Sequence, residues 1–230
     1  MDPIVLIPGT LCDDMLWQHQ KSKFSEWTDV IIADISNEDS IHKMARNILD
    51  NAPERFILAG LSLGGIVAIE IMNIAPERVL KLALLNSNPS PASSSQKETW
   101  KEQEVLTLNN QFHEVIQNQF IPPMLYAEKL NEQLISDVYQ MCRNIGEKGF
   151  INQLRANANR PNGREVLPGI VCPTLIVGGK QDKVCTEKIQ EEMSELIPSA
   201  TLIMIENCGH LSTLDQPEAV TAVMEYWIKI

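Results

Sequence analysis

The chain has 230 residues and a mass of 25.8 kDa, the size of one domain or of one core with a sizeable insertion. Hydrophobic residues make up 44% and charged residues 21%, ordinary globular usage that argues against disorder and against a fibre. A net charge of −11, from 19 basic and 30 acidic side chains, argues against a nucleic-acid partner and against docking on an anionic membrane.

In chain order, short runs rich in Ile, Leu and Val alternate with segments of helical period. Ile4–Ile7 and Val30–Ile35 read as buried parallel strands, followed by an amphipathic stretch, 38–51, with Ile41, Met44, Ala45 and Ile48 on one face. Residues 55–59 predict the next strand, 63–73 a largely apolar helix, and 80–85 a fourth strand. The alternation then stops. Asn88-Pro89-Ser90-Pro91-Ala92-Ser93-Ser94-Ser95 is a linker by composition, and Ser93–Ser95 offer N-cap oxygens to a following helix. From there to about Arg164 only helical periods occur; in 128–145 the stripe is Leu130, Leu134, Val138, Met141 and Ile145. This stretch is compositionally distinct too, since residues 86–165 carry 8 basic and 9 acidic groups while the remainder holds nearly all the excess charge. Strand pattern resumes at Thr174–Val177 and 201–205, with helices at 186–196 and 218–228.

The pattern predicts an α/β fold whose parallel sheet is covered on both faces, with a helical insertion after the fourth strand. The expected division is a core of 1–87 and 166–230 and a cap of 88–165. The start of the chain lacks a basic region and a long apolar core, so no signal peptide is expected. The longest uncharged apolar stretch, Phe56 to Ile69, has 14 residues, short of the roughly 20 that span a bilayer. Five cysteines at unrelated spacings, with no Cys-x-x-Cys, read as reduced thiols of a cytoplasmic protein, not as a disulfide framework or a zinc site.

Gly60-Leu61-Ser62-Leu63-Gly64-Gly65 joins a strand to a helix. A serine in so sharp a turn needs small neighbours, because strand and helix backbones nearly touch there. The turn lifts the hydroxyl out of the sheet and points the helix N-terminus at any oxyanion that forms. A serine hydroxyl needs a base, itself oriented by an acid. His19, His42 and His113 lie in polar helical stretches and read as surface residues. His210 follows the last strand, on the same sheet edge as Ser62, where open α/β sheets build their sites. Asp182 occupies the matching loop after Thr174–Val177, with Asp215 a weaker candidate; 86–88 holds no carboxylate. The order is then Ser62, Asp182, His210. For an oxyanion hole the donors expected are the N–H groups of Leu63 and of Thr10 in the loop after the first strand, with Leu11 second to Thr10. Asp13 and Asp14 read as helix caps.

Leu6-Ile7-Pro8-Gly9-Thr10, Gly60–Gly65, Pro173–Asp182 and Asn207-Cys208-Gly209-His210 together resemble the α/β-hydrolase fold superfamily, within its small capped group of esterases and lactonases. The resemblance implies Ser62 as nucleophile, His210 as base, Asp182 as its partner, and Thr10 and Leu63 as oxyanion donors. Two departures stand out. Pro8 replaces the histidine that many relatives carry before the loop glycine, so the oxyanion loop must be held differently. The chain also starts directly at Ile4–Ile7, without an added hairpin, so the sheet should have about six strands, all parallel.

The expected activity is hydrolysis of an ester, or a similar acyl bond, of a small molecule through an acyl-enzyme. No cofactor or metal is called for: no His/Cys/Asp cluster has ligand spacing, and Gly60–Gly65 lacks the lysine of a phosphate-binding loop. The same triad would serve carbon–carbon bond hydrolysis, a lyase step of menaquinone synthesis or perhydrolysis, and the fold could also survive as a non-catalytic binding protein. Phe112, Phe120, Met124, Leu125, Tyr126 and Phe150 could line an acyl site beneath the cap, although most read more simply as cap core. Arg143, Arg155 and Arg160 could hold a substrate carboxylate, against the simpler reading of surface arginines or cap-to-core salt bridges. Leu11, Met124, Leu125 and Arg155 are the substrate contacts expected.

Overall fold

A computed structural model describes residues 2–129 and 131–230. Six strands form one parallel sheet in the order β2-β1-β3-β4-β5-β6. They are β1 (Ile4–Ile7), β2 (Val30–Ile32), β3 (Phe56–Leu61), β4 (Val79–Leu85), β5 (Thr174–Gly179) and β6 (Ala200–Ile205). The strand order reverses next to β1, and that crevice opens at the carboxyl ends of the strands.

Alternation along each strand divides the core in two. Ile4, Leu6, Ile57, Ala59, Leu61, Ala83 and Leu85 face one side, while Val5, Ile7, Phe56, Leu58, Leu82 and Leu84 face the other. The first face is covered by α1 (Gln18–Phe24) and the C-terminal helix Pro217–Lys229, and the second by α2 (Ile41–Asn51), α3 (Leu63–Ile74) and α8 (Glu187–Leu196). Helix α3 is buried along most of its length, which explains its apolar composition.

Several expected boundaries move, two of them by three residues each. β2 stops at Ile32, and α2 begins at Ile41, because Asp34 builds a local turn between them. Its carboxylate accepts from Ser36 N–H and Oγ and from Asn37 Nδ2, a side-chain competitor to helix and ladder alike.

Between β4 and β5 lie α4 (Ser94–Leu108), α5 (Phe112–Val115), α6 (Ile121–Met124) and α7 (Glu132–Ala158), with a π-helical turn at Ile116–Phe120. Ser93 closes the start of α4 with a capping box, its Oγ taking the Gln96 N–H while Gln96 Oε1 takes the Ser93 N–H. Along α7, Val138 and Met141 are buried and Leu134 and Ile145 half-buried; Leu130 of the expected stripe lies outside the described residues. The helix then runs past the expected end, breaking direction at Gly146 (φ 70°, ψ 177°) before continuing to Ala158. Most of the insertion's buried apolar residues, among them Val115, Ile116, Phe150 and Leu154, join the first face's core. Among the described residues no helix is long and apolar enough to cross a membrane.

Candidate active site

Five loops at the carboxyl ends of β1, β3, β4, β5 and β6 supply the site. Ser62 stands between β3 and α3 with φ 55° and ψ −116°, a conformation that L-residues hold only under constraint. The constraint is the closeness of the backbones: a Cβ on Gly60 would lie 2.2 Å from Gly64 O, and one on Gly64 would lie 2.2 Å from Ile7 O. Ser87 Oγ donates to Ser62 O at 2.9 Å and braces the turn from the β4 side.

His210 Nε2 lies 2.8 Å from Ser62 Oγ, and its Nδ1 lies 2.9 Å from Asp182 Oδ2. His210 and Asp182 are both buried. Burial pushes the Asp182 carboxyl up, but the His210 charge and the hydrogen bonds from His210, Asn86 and Cys185 N–H outweigh it, holding the group below the ordinary carboxylate value. Asp182 is therefore an acceptor only, so Nδ1 carries the proton and Nε2 is free to accept from the serine. The carboxylate is fully engaged. Oδ1 takes the Val184 and Cys185 N–H groups, and Oδ2 shares His210 with Asn86 Nδ2 at 2.9 Å. Asn86, in left-handed conformation (φ 46°), also donates to Gly209 O, so it ties the acid loop to the histidine loop.

Asp215, the weaker acid candidate, does other work. Its Oδ2 accepts from Gly209 N–H at 2.7 Å and from Tyr126 N–H at 3.1 Å. Met124 O accepts from both the His210 and Leu211 N–H groups at 3.0 Å. The insertion thus grips the histidine loop through residues 124–126.

The loop after β1 is gripped as well. Gln153 Oε1 accepts the Leu11 N–H at 2.8 Å, and Asn157 Nδ2 donates to Thr10 Oγ1 at 3.2 Å. These two residues, one helical turn apart on α7, hold a loop in which Leu11 has φ 55°. With Leu11 N–H committed to Gln153, the Thr10 N–H has no hydrogen-bond partner among the described residues. The Leu63 N–H opens α3, where a helix has no intrahelical acceptor to offer.

A cavity of about 130 Å³ connects these groups. Ser62, His210 and Thr10 form its floor; Phe120, Met124, Phe150 and Leu154 supply apolar wall. Ile66, Trp100, Val184 and Leu211 add to that apolar wall, and Gln96, Gln103, Gln119, Asn157 and Arg160 supply a polar side. Three expected substrate contacts lie elsewhere. The Leu11 side chain is fully buried in the core and its N–H serves Gln153; Leu125 is likewise packed into the core. Arg155 points away from the cavity and binds Glu104 through Nε and Nη2 at 2.9 and 2.6 Å. Two residues from 153 along a helix is about 200° of rotation, which carries Arg155 to the outer side. Of the six apolar candidates, Phe120, Met124 and Phe150 line the cavity, while Phe112 packs its ring 5.7 Å from that of Phe150. Asn86, Gln153 and Asn157 carried no sequence signal, since single amides in helices and loops are commonplace.

Asp182, Cys185 and His210 place ligand atoms within 4.8 Å of one another. The donors are already spent: Asp182 and His210 bond each other, and burial raises the Cys185 thiol well above its ordinary value, keeping it protonated and a poor ligand. His19, His42 and His113 meet Thr221, Glu70 and Tyr139, away from this cavity.

The profile of the Alpha/beta hydrolase family matches residues 19–223. A pimeloyl-[acyl-carrier protein] methyl ester esterase of Nitrosomonas europaea is 27% identical over 189 residues, covering 78% of this chain and 74% of its own length. Two solved structures superpose on the whole chain: an esterase from Thermogutta terrifontis (TM-score 0.88, 23% identity, 90% of that chain) and an enol-lactonase from Burkholderia xenovorans (TM-score 0.90, 19% identity, 92% of that chain). At these identities the two structures speak for the fold alone.

Proposed function

The chain belongs to the Alpha/beta hydrolase family, and from that membership we propose that it is a serine hydrolase cleaving a carboxylic ester of a small molecule. The observation that carries this reading is His210, set between Ser62 Oγ at 2.8 Å and Asp182 Oδ2 at 2.9 Å. The Nitrosomonas relative, named for a methyl ester, supports an acyl–oxygen bond as the target.

Ser62 Oγ attacks the ester carbonyl as its proton passes to His210 Nε2, and Asp182 stabilises the imidazolium through Nδ1–H. Negative charge gathers on the carbonyl oxygen, where the Thr10 and Leu63 N–H groups would receive it. The tetrahedral intermediate collapses, His210 gives its proton to the departing alcohol, and an acyl-Ser62 ester remains. Water, deprotonated by the same imidazole, releases the acid. The insertion roofs the cavity and acts as a cap, excluding bulk water from the charge that develops. The five free thiols, Cys12, Cys142, Cys172, Cys185 and Cys208, fit a reducing compartment such as the cytoplasm.

Fluorophosphonate labelling, run beside hydrolysis of p-nitrophenyl esters from acetate to octanoate, tests this reading. Label should attach to Ser62 and vanish in Ser62→Ala, and Ser62→Ala or His210→Ala should each lose on the order of 10³-fold or more in turnover. A folded protein that takes no label would refute it. Labelling without ester turnover would redirect the triad to carbon–carbon or lyase chemistry.

A further inference from the structure

Among the described residues Arg160 is the buried arginine, 8% exposed, and it lines the same cavity as Ser62 and His210. Its Nε donates to Ser90 O at 2.8 Å, its Nη2 to Gln96 Oε1 at 3.3 Å, and its guanidinium sits 5.5 Å from the centre of the Trp100 ring. Every one of these partners is neutral. Nη1 makes no hydrogen bond, and no carboxylate pairs with the group among the described residues. Arg155 and Arg164 of the same region differ, the first pairing with Glu104 and the second with Glu192. Burial lowers the proton affinity of the Arg160 guanidinium, yet an arginine stays charged in any protein environment. The neighbouring Cys185 thiol, held protonated by its own burial, is no counter-ion.

A desolvated cation without an anion is costly, and chains keep one where a ligand completes it. The rest of the roof suits that purpose. Gln103 Nε2 donates to Gln119 Oε1 at 3.2 Å, which leaves Gln119 Nε2 as a further neutral donor in the cavity wall. Together they offer a planar fork and an amide, the donor set that a carboxylate accepts in two directions.

We propose that Arg160 is an anion subsite, and that the ester this protein hydrolyses carries a carboxylate at the far end of its acyl chain. The substrate class is a hemiester of a short dicarboxylic acid. One guanidinium matches one monoanion; a phosphate dianion would leave surplus charge buried. A cavity of about 130 Å³ is small beside the roughly 300–1,000 Å³ of drug-sized ligand sites, which limits the chain length. Placing the carboxylate on the acyl side keeps Arg160 paired throughout the acyl-enzyme stage, after the alcohol has gone. The bond that breaks is the ester C–O; water supplies the hydroxyl and the proton, so the products are the dicarboxylic acid and the alcohol. This inference rests on the serine-esterase reading and names its substrate.

The test compares monomethyl succinate, glutarate and adipate with their dimethyl esters, on wild type, Arg160→Gln and Arg160→Lys. Wild type should favour at least one hemiester over its diester by on the order of tenfold or more in kcat/KM. In Arg160→Gln that ratio should collapse toward one, mainly through KM of the hemiester, and Arg160→Lys should restore part of it. A mere tether between the cap's two ends would weaken both esters together and leave the ratio unmoved, which would overturn the proposal. Should Arg160→Gln fail to fold, wild type decides: the free dicarboxylates must compete with dimethyl ester hydrolysis while glutaramide does not. Ser62-dependent diester turnover with no hemiester preference and no such competition would sink the subsite and leave the esterase reading standing. Absence of Ser62-dependent turnover on every ester would sink the esterase reading instead. Calorimetric binding of glutarate, lost in Arg160→Gln, would then sustain the anion site, and no binding would end it.

Discussion

At the scale of single residues, the site is built from amides as much as from the triad. Asn86 donates to Asp182 Oδ2, the oxygen that His210 also bonds, so Asn86→Ala should slow turnover about tenfold while leaving KM nearly unmoved, as measured on any p-nitrophenyl ester. Gln153 fixes Leu11 N–H, and the Thr10 N–H beside it is the donor proposed for the oxyanion. Gln153→Leu removes that hold from the oxyanion loop and should lower kcat by on the order of 10- to 100-fold, again with little change in KM. The acid has a signature in stability as well. The folded Asp182 carboxyl titrates below 3.8, its ordinary value, so its stabilising share is present in full at neutral pH and is lost as pH falls through the folded value. Acid-unfolding curves should therefore show wild type losing stability below about pH 4 more steeply than Asp182→Asn.

Elements obey the sequence where burial is two-sided and depart from it where a side chain intervenes. Strands β1, β3, β4 and β5 are legible because continuous Ile, Leu and Val runs bounded by turn residues suit a strand covered on both faces. The elbow was legible too, since only glycine survives at Gly60; Gly60→Ala should cost about 3 kcal/mol or more in denaturant unfolding. The shift of α2 from 38 to Ile41 was hidden, because the Asp34 hydrogen bonds that delay it carry no hydrophobic period. The length of α7 was hidden for a similar reason. An apolar stripe ending at Ile145 gives no sign that Gly146 turns the axis and that the helix then offers Gln153 and Asn157 to the core. Choosing between Arg155 and Arg160 required that turn to be known. Ser93→Ala, which undoes the capping box of α4, should lower unfolding stability by about 1 kcal/mol and leave the triad untouched.

Across the whole molecule the charge is concentrated outside the insertion, whose own groups nearly balance, so an anionic substrate would meet a repelling body around a locally positive cavity. The succession of strands in one parallel sheet was legible from the chain, whereas the cavity was not, because its walls come from helices whose rotation no stripe determines. Three ties hold the insertion in place, two to the core and one across its own ends. Gln153 and Asn157 reach the loop after β1, residues 124–126 reach the histidine loop, and Arg160 reaches Ser90 at the insertion's own beginning. A roof so joined is not an interchangeable module. Grafting the cap of a relative onto this core would remove the props of the reactive groups along with the walls of the pocket. Such a chimera should turn over every ester poorly, including esters natural to the donor, until glutamine and asparagine are restored at the positions equivalent to Gln153 and Asn157. Diversification on this scaffold would then have to proceed by point changes within a cap retained whole.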